Sequence, residues 1–237
     1  MGYNITVSSL VTNARQRANK ERSNFVTDAE ILQLVDRAYK ELYDLVVTSY
    51  QDYYAEDYDF TTVGGQKEYA LPSNFYKLLG VDMYIDADRF VTLRQFMFQE
   101  RNKYRFNMIT PTIPAQIMQY HILGSNLRLM PSPTSQTAMK VWFVPRAKNL
   151  TTSASPGTDE VNQVDCQNGW EDFIITSAAI YILIKEESDV TALMAMKEEA
   201  KQRVLSTSVN RNTAEPERVY DVGSIADNWR FFYSWYE

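Results

Sequence analysis

Histidine and cysteine are almost missing from this 237-residue chain, which holds one of each, His121 and Cys166. A lone cysteine rules out an intrachain disulfide framework and fits a reducing compartment. A lone histidine rules out any mechanism that needs two imidazoles, and the two residues together cannot build a zinc framework of the usual kind. The eight glycines form neither phosphate-cradling pattern, G-x-x-x-x-G-K or G-x-G-x-x-G. A basic excess is also missing: 24 Lys+Arg face 30 Asp+Glu, a formal charge of −6, whereas a sequence-blind nucleic-acid binder carries cations to neutralise phosphates. The most apolar helical run, 173–184, falls well short of the roughly 20 residues that span a bilayer. Residues 1–10 lack an apolar signal core. A soluble intracellular chain with no cofactor, no metal and no membrane partner is expected.

What the chain does have is apolar and aromatic material. Hydrophobic residues make up 45% and aromatics 13%, with 16 Tyr. Tyrosine joins a large apolar body to a polar tip, which suits half-buried surfaces and interfaces as well as ordinary cores.

Helical signals occupy both ends. A short helix is expected over 6–18. Thr27-Asp28-Ala29-Glu30 fits a capping box, in which the hydroxyl and the carboxylate satisfy orphan amides at a helix start. Val26 and Ile31 stand where a hydrophobic staple places them. Ile31, Leu34, Val35, Ala38, Leu42, Leu45 and Val46 then recur at helical spacing on one face. Tyr39, Tyr43 and Tyr50 form a second stripe beside it, either a widened core face or a subunit contact. Near the other end, 170–186 is apolar on nearly every side and reads as a central helix. Ser188 or Asp189 can cap a further helix to about residue 206, with Leu193, Met196, Ala200 and Val204 on one face.

The middle reads as strands. Segments 60–63 and 66–70 flank Gly64-Gly65, a pair that supplies positive φ angles and predicts a tight hairpin. Pro72 ends that strand because it cannot donate to a ladder. Strands are expected over 79–85, 115–122, 126–130 and 139–144, with a short helix over 92–104. The polar stretch 149–168 reads as a long mobile loop. The pattern predicts an α+β fold. A helical bundle is built from both chain ends (1–56 and 166–208), with an inserted β-rich module (57–150), a mobile loop (151–165) and an extended tail (209–237).

That tail ends in six aromatics within nine residues: Trp229, Phe231, Phe232, Tyr233, Trp235 and Tyr236. Half-burying six rings of roughly 200 Å² each yields about 15 kcal/mol. Ordering nine residues costs about 13 kcal/mol. The two nearly cancel, so the segment needs a groove that buries the rings more fully. That groove belongs to its own domain, to a neighbouring subunit or to a partner.

Candidates for chemistry are sparse. His121 lies between Tyr120 and Ile122 in an expected strand and reads as a hydrogen-bonded structural residue. A Cys166–His121 dyad has no local motif behind it. Asp82, Asp86 and Asp88 could share a hard cation if a turn gathers them, but they lack the glycine and distal glutamate of a calcium loop, so a solvated hairpin end is the stronger reading. Glu56, Asp57 and Asp59 read as a polar boundary, and Glu186, Glu187 and Asp189 as a helix junction. Arg101, Lys103 and Arg105, interleaved with Tyr104 and Phe106, are the one local basic cluster. They read either as a solvated helix end or as a DNA-proximal patch.

The order of elements carries a resemblance. Rising helices lead into a β module through Leu71-Pro72-Ser73-Asn74-Phe75-Tyr76-Lys77-Leu78 and on to Val81, after which Trp170 opens a helical pair and an extended tail closes the chain. Over residues 7–208 this resembles the head-to-tail adaptor (connector) proteins of tailed bacteriophages, particularly short-tailed ones. Asn74 departs from the acidic residue usual before the Phe. The resemblance implies a non-enzymatic virion protein at the head–tail junction, assembled in the bacterial host cytoplasm as a dodecameric ring of copies of itself. Such a ring sits under the portal protein, carries tail or nozzle proteins, and extends the channel through which genomic DNA passes without sequence-specific binding. The tail is then a docking arm. Another neck, tail or baseplate component is the nearest alternative, and a host-acting regulator or hydrolase a more distant one.

Overall fold

A computed structural model describes residues 4–22, 24–86, 89–100, 118–153, 159–166 and 169–209. Strand β1 (Asn4–Thr6) runs into helix α1 (Val7–Arg17), whose N-cap Thr6 accepts a hydrogen bond from the Ser9 amide. Helix α2 (Asp28–Ser49) starts at the expected cap, with the Thr27 hydroxyl accepting from the Glu30 amide at 3.3 Å. Val26 and Ile31 are both buried, as a staple requires. Helix α3 (Glu171–Lys185) and helix α4 (Thr191–Val209) close the described chain. Trp170 stands at the N-cap of α3 after Gly169, whose φ of +92° favours glycine. Asp189 caps α4 by accepting from the amide and hydroxyl of Thr191.

Helix α3 packs against α1, α2 and α4. Its Ser177, Ala178 and Ala179 are buried together with Phe173, Ile174 and Ile182, so small residues let its neighbours approach while large ones fill the gaps. The core around it takes Leu10 and Ala14 from α1, Ile31, Val35, Ala38 and Leu42 from α2, and Val204 from α4. Met196, expected on the inner face of α4, is instead 45% exposed.

One polar network joins three of these helices. Glu41 on α2 accepts hydrogen bonds from the Tyr181 hydroxyl on α3 and from Lys197 Nζ on α4, the latter at 2.8 Å. Burial pushes the Glu41 carboxyl up, but the Lys197 and Tyr181 bonds outweigh it and leave the group below its ordinary range. A depressed carboxylate adds stability above its unfolded pKa, and that stability is lost as pH falls through the folded value. Glu41→Gln is therefore expected to flatten the acid limb of a Tm-against-pH profile below about pH 4.5, measured by circular dichroism.

Between α2 and α3 lie two four-stranded sheets. The first contains β2 (Glu56–Thr61), β9 (Ala138–Pro145), β4 (Phe75–Asp86) and β5 (Arg89–Thr92), in that order. The second contains β3 (Glu68–Ala70), β8 (Asn126–Met130), β7 (Gln119–Leu123) and β6 (Arg94–Gln95). They face each other across one apolar layer. Val81, Met83, Met139, Val141 and Phe143 come from the first sheet, and Tyr69, Tyr120, Leu127 and Leu129 from the second. The first sheet opens and closes side by side, since Glu56 pairs with Phe143.

Three expectations in this region are corrected. Gly64-Gly65 does make a turn, with the Gln66 amide on the Val63 carbonyl, but no hairpin, because β2 pairs with β9 and β3 with β8. The Gly65 amide bonds to Pro133 and the Thr62 amide to Thr137, so the turn carries the chain from one sheet to the other. The helix expected over 92–104 is replaced, through residue 100, by β6 and a 3-10 turn at Phe98–Glu100, and residues 101–104 lie outside the described residues. The Leu93 amide bonds to Val81 in the first sheet and the Phe96 amide to Tyr120 in the second, which ties this stretch to strands in place of a helical ladder. The 149–168 stretch contains β10 (Asn149–Leu150), β11 (Glu160–Val161) and β12 (Gln163–Asp165), with β12 antiparallel to β1. Leu150 and Val164 anchor it in the helical core.

The helices and the first sheet meet at a tyrosine cluster. Tyr43 and Val47 of α2 pack on Val144 of β9, with Leu79 beside them. Tyr43 stacks on Tyr54 at 4.3 Å, and its hydroxyl donates to the Pro145 carbonyl at 2.5 Å. Tyr54 meets Tyr53, which meets Trp170 at 5.6 Å. An aromatic chain thus runs from the sheet into the helical core.

Candidate functional site

The residues singled out in the sequence fall into separate places. Tyr43 is buried at the junction just described, and Tyr39 beside it is partly buried and touches both neighbouring cores. Burial, with Cys166, Asp36 and Asp165 nearby, pushes the Tyr39 hydroxyl up to about 12. Tyr50 is half-buried at the C-cap of α2. Arg101, Lys103 and Arg105, and the aromatics from Trp229 to Tyr236, lie outside the described residues.

The two rare nucleophilic and basic residues are not brought together. Cys166 is fully buried in the helical core. Burial first, and then the carboxylates of Glu171 and Asp165, push its thiol up to about 12. Thiolate, not thiol, is the reactive form, so Cys166 is expected to resist a thiol reagent in the native protein and to label fully once unfolded. His121 sits on β7 against Phe96 at 5.2 Å and Phe98 at 6.0 Å. Its Nδ1 is buried without a hydrogen-bond partner among the described residues, so the hydrogen bond expected of it is not found there at that atom. Among the described residues no group of three or more His, Cys, Asp or Glu side chains is placed to hold a metal ion.

The carboxylates have a different role. The register of the first sheet sets Asp59, Lys140, Asp82 and Thr92 in one cross-strand row and Asp57, Trp142 and Gly80 in the next. All point away from the sandwich core, because their neighbours along each strand point into it. Lys140 Nζ binds Asp57 at 2.6 Å and Asp59 at 3.5 Å, and sits 5.3 Å over the Trp142 ring. The hydrogen bond to Asp57 holds the Lys140 ammonium above its usual range. Asp82 accepts from Trp142 Nε1 and from the Thr92 hydroxyl, both at 2.7 Å. Asp86 pairs with Arg89 at the hairpin end, where Phe90 is 61% exposed. Carboxylates on β2 and β4 thus frame one lysine and the exposed rings of Trp142 and Phe90. Sequence reading found the aspartates as two unrelated groups and missed Lys140 and Trp142. The period-two alternation of 138–145 was the signal that could have placed those two on one outer face.

A cleft of about 400 Å³ lies between α2 and the start of β4, lined by Lys40, Tyr43, Asp44, Tyr76, Arg146 and Asp159 among others. Several of its polar groups are engaged with one another or with neighbours. Lys40 binds Asp36 and Asn149, Tyr76 donates to Asp44 at 3.1 Å, and Arg146 pairs with Asp159. The cleft braces the junction of helix and sheet.

Comparison with known proteins adds one match. A family model described as SU10 adaptor protein covers residues 5–220, and so takes in the four helices and both sheets. No curated protein matches the chain.

Proposed function

Because the chain belongs to the SU10 adaptor protein family, a group of phage structural proteins, we propose that it forms a ring at the head–tail junction that joins the portal to the tail and extends the DNA channel. The observation that carries the reading is the extent of the match, which covers 5–220 of the 237 residues. Family membership bears out the resemblance to phage head-to-tail adaptors and gives the chain a structural role in the virion. Ring formation, the dodecameric count and the identity of the portal and tail partners are the finer proposal.

Physical features support it. A ring of identical chains needs a heterologous contact that repeats and closes, and the exposed aromatic and charged side chains of the first sheet suit such a contact. The net charge of −6 suits a channel wall past which DNA must slide without being held. The 209–237 tail is the docking arm, its rings inserted into a groove on the portal or on the next copy.

Native mass spectrometry of the purified chain, alone and with its portal, tests the proposal. A closed ring or a ring–portal complex is expected, and a strict monomer that ignores the portal overturns it. Truncation after Gly223 is expected to leave the folded core intact while assembly is lost. Unchanged assembly removes the arm from the proposal.

A further inference from the structure

The first sheet ends in two unpartnered strands. Its order, β2-β9-β4-β5, leaves β2 and β5 at the edges, with no further strand beside either among the described residues. Five of the six residues of β2 and three of the four of β5 are exposed. An open edge is a template for another chain, and proteins blunt such edges by shortening or covering them. The second sheet is blunted in that way, with edge strands of three and two residues. The first is not.

Hydrogen bonding identifies the free groups on each edge. The Thr62 amide bonds to the Thr137 carbonyl, in line with the β2–β9 register. Residues 62 and 137 are therefore a hydrogen-bonded pair, and alternate residues of the antiparallel ladder turn their amides and carbonyls the other way. On β2 those are Asp57, Asp59 and Thr61. The Leu93 amide likewise bonds to the Val81 carbonyl, which leaves Phe90 and Thr92 of β5 facing outward. Both sets carry their side chains on the outer face of the sheet, where Asp59 and Thr92 share the cross-strand row of Lys140 and Asp82. Every pairing in this four-stranded sheet is antiparallel, so β2 and β5 run in opposite directions.

We propose that β2 of one copy pairs with β5 of the next, so that the first sheets join into one continuous antiparallel sheet around the ring. The inference rests on the ring reading and names its contact. Direction and facing both match. Copies related by rotation about an axis along the strands present β5 of one antiparallel to β2 of its neighbour. Free amides then stand opposite free carbonyls, and the apolar faces of both copies stay on the same side. A sheet with an odd number of strands would meet its neighbour in parallel. One repeated heterologous contact fills both edges, and closure leaves none open. A tail segment or a partner strand laid on one edge leaves the other unfilled. Side chains select the same pairing. Two β2 strands together would set Asp57 and Asp59 against carboxylates of the other copy, a destabilising cross-strand arrangement. Strand β5 offers Arg89, Phe90 and Thr92 and no carboxylate.

Proline tests the main chain directly. At Asp59 it replaces an amide that bonds to nothing in its own sheet, so Asp59→Pro spares the β2–β9 ladder while blocking strand addition. Phe90→Pro does the same for β5. Each full-length variant alone is expected to weaken self-association at least about tenfold, with the circular dichroism spectrum retained. Asp59→Ala keeps the amide and is expected to assemble as the unmodified chain does. Mixed in equal amounts, the two proline variants hold one competent pair of edges, β5 of the Asp59 variant with β2 of the Phe90 variant. A 1:1 dimer that does not grow is expected by native mass spectrometry. Hydrogen exchange on the unmodified chain guards against variants that fail to fold. The amides of Asp57, Asp59 and Phe90 are expected to exchange at least about tenfold more slowly in the ring than in diluted, dissociated copies, and equal rates overturn the inference. Normal rings from either proline variant also overturn it while the adaptor reading stands. An equal loss of assembly in Asp59→Ala does so too, by assigning the contact to the carboxylate. A protein that forms no ring, with or without portal, defeats the adaptor reading itself.

Discussion

Tyr43→Ala is expected to lower the unfolding free energy by about 3–5 kcal/mol, the range for removing a buried aromatic ring. Tyr43 is only 4% exposed. Its loss vacates the space between Val47, Val144 and Leu79, breaks the stack on Tyr54, and removes the hydrogen bond to the Pro145 carbonyl. Two independent terms, packing and polarity, therefore fall together. Tyr43→Phe separates them: the ring stays, the Pro145 carbonyl loses its donor, and about 1–2 kcal/mol is expected. Urea titration followed by tryptophan fluorescence and by circular dichroism measures both. In the alanine variant the two probes are also expected to diverge. With Trp170, Trp229 and Trp235 replaced by Phe in the background, Trp142 reports on the sheet and the far-ultraviolet signal mainly on the helices, and the residue that couples them is gone. Coincident curves with a loss under about 1 kcal/mol would show that the junction does not depend on this ring.

Phe173→Ala is the second large effect, again about 3–5 kcal/mol. Phe173 lies in the first turn of α3, the helix that touches the other three, and is 1% exposed. Its same-face successors on the helix are the small Thr176 and Ser177, which leave the void largely unfilled. Lys197 also places its ammonium 5.3 Å from the Phe173 ring, a contact that alanine cannot offer. Phe173→Leu retains most of the volume and is expected to cost less than half as much. Thermal unfolding of the two variants side by side measures the difference, and equal losses would rule out the cavity account.

Signals that act within one turn of chain were legible in the sequence. Thr27 and Glu30 mark the start of α2, and Val26 and Ile31 staple it. The physics of each is settled by neighbours three or four residues away. Strand partnership was not legible, because Gly64-Gly65 makes the same local turn whether the flanking strands pair with each other or with β9 and β8. Only the distant acceptors Pro133 and Thr137 decide. The short strands β10, β11 and β12 were hidden for a related reason. Two apolar anchors, Leu150 and Val164, suffice to hold them, and the polar residues around those anchors look like any loop. The aspartates of the candidate face were visible singly, but the row that unites them is a property of register and needs Lys140 from a strand some 80 residues further on.

The pairing of Glu56 with Phe143 has a consequence for how such a chain can change over generations. The point where the backbone leaves the helices and the point where it comes back are neighbours in one sheet, roughly 5 Å apart. The chain between them leaves and returns through this two-strand stem, and only Tyr76 and Leu79 of β4 need matching where it rests on α2. A sandwich of different size, or a bare hairpin, can be grafted at that stem while the framework below keeps its spacing. Phages could then retool the outer part of an adaptor by recombination, exchanging one cassette for another without refitting the base.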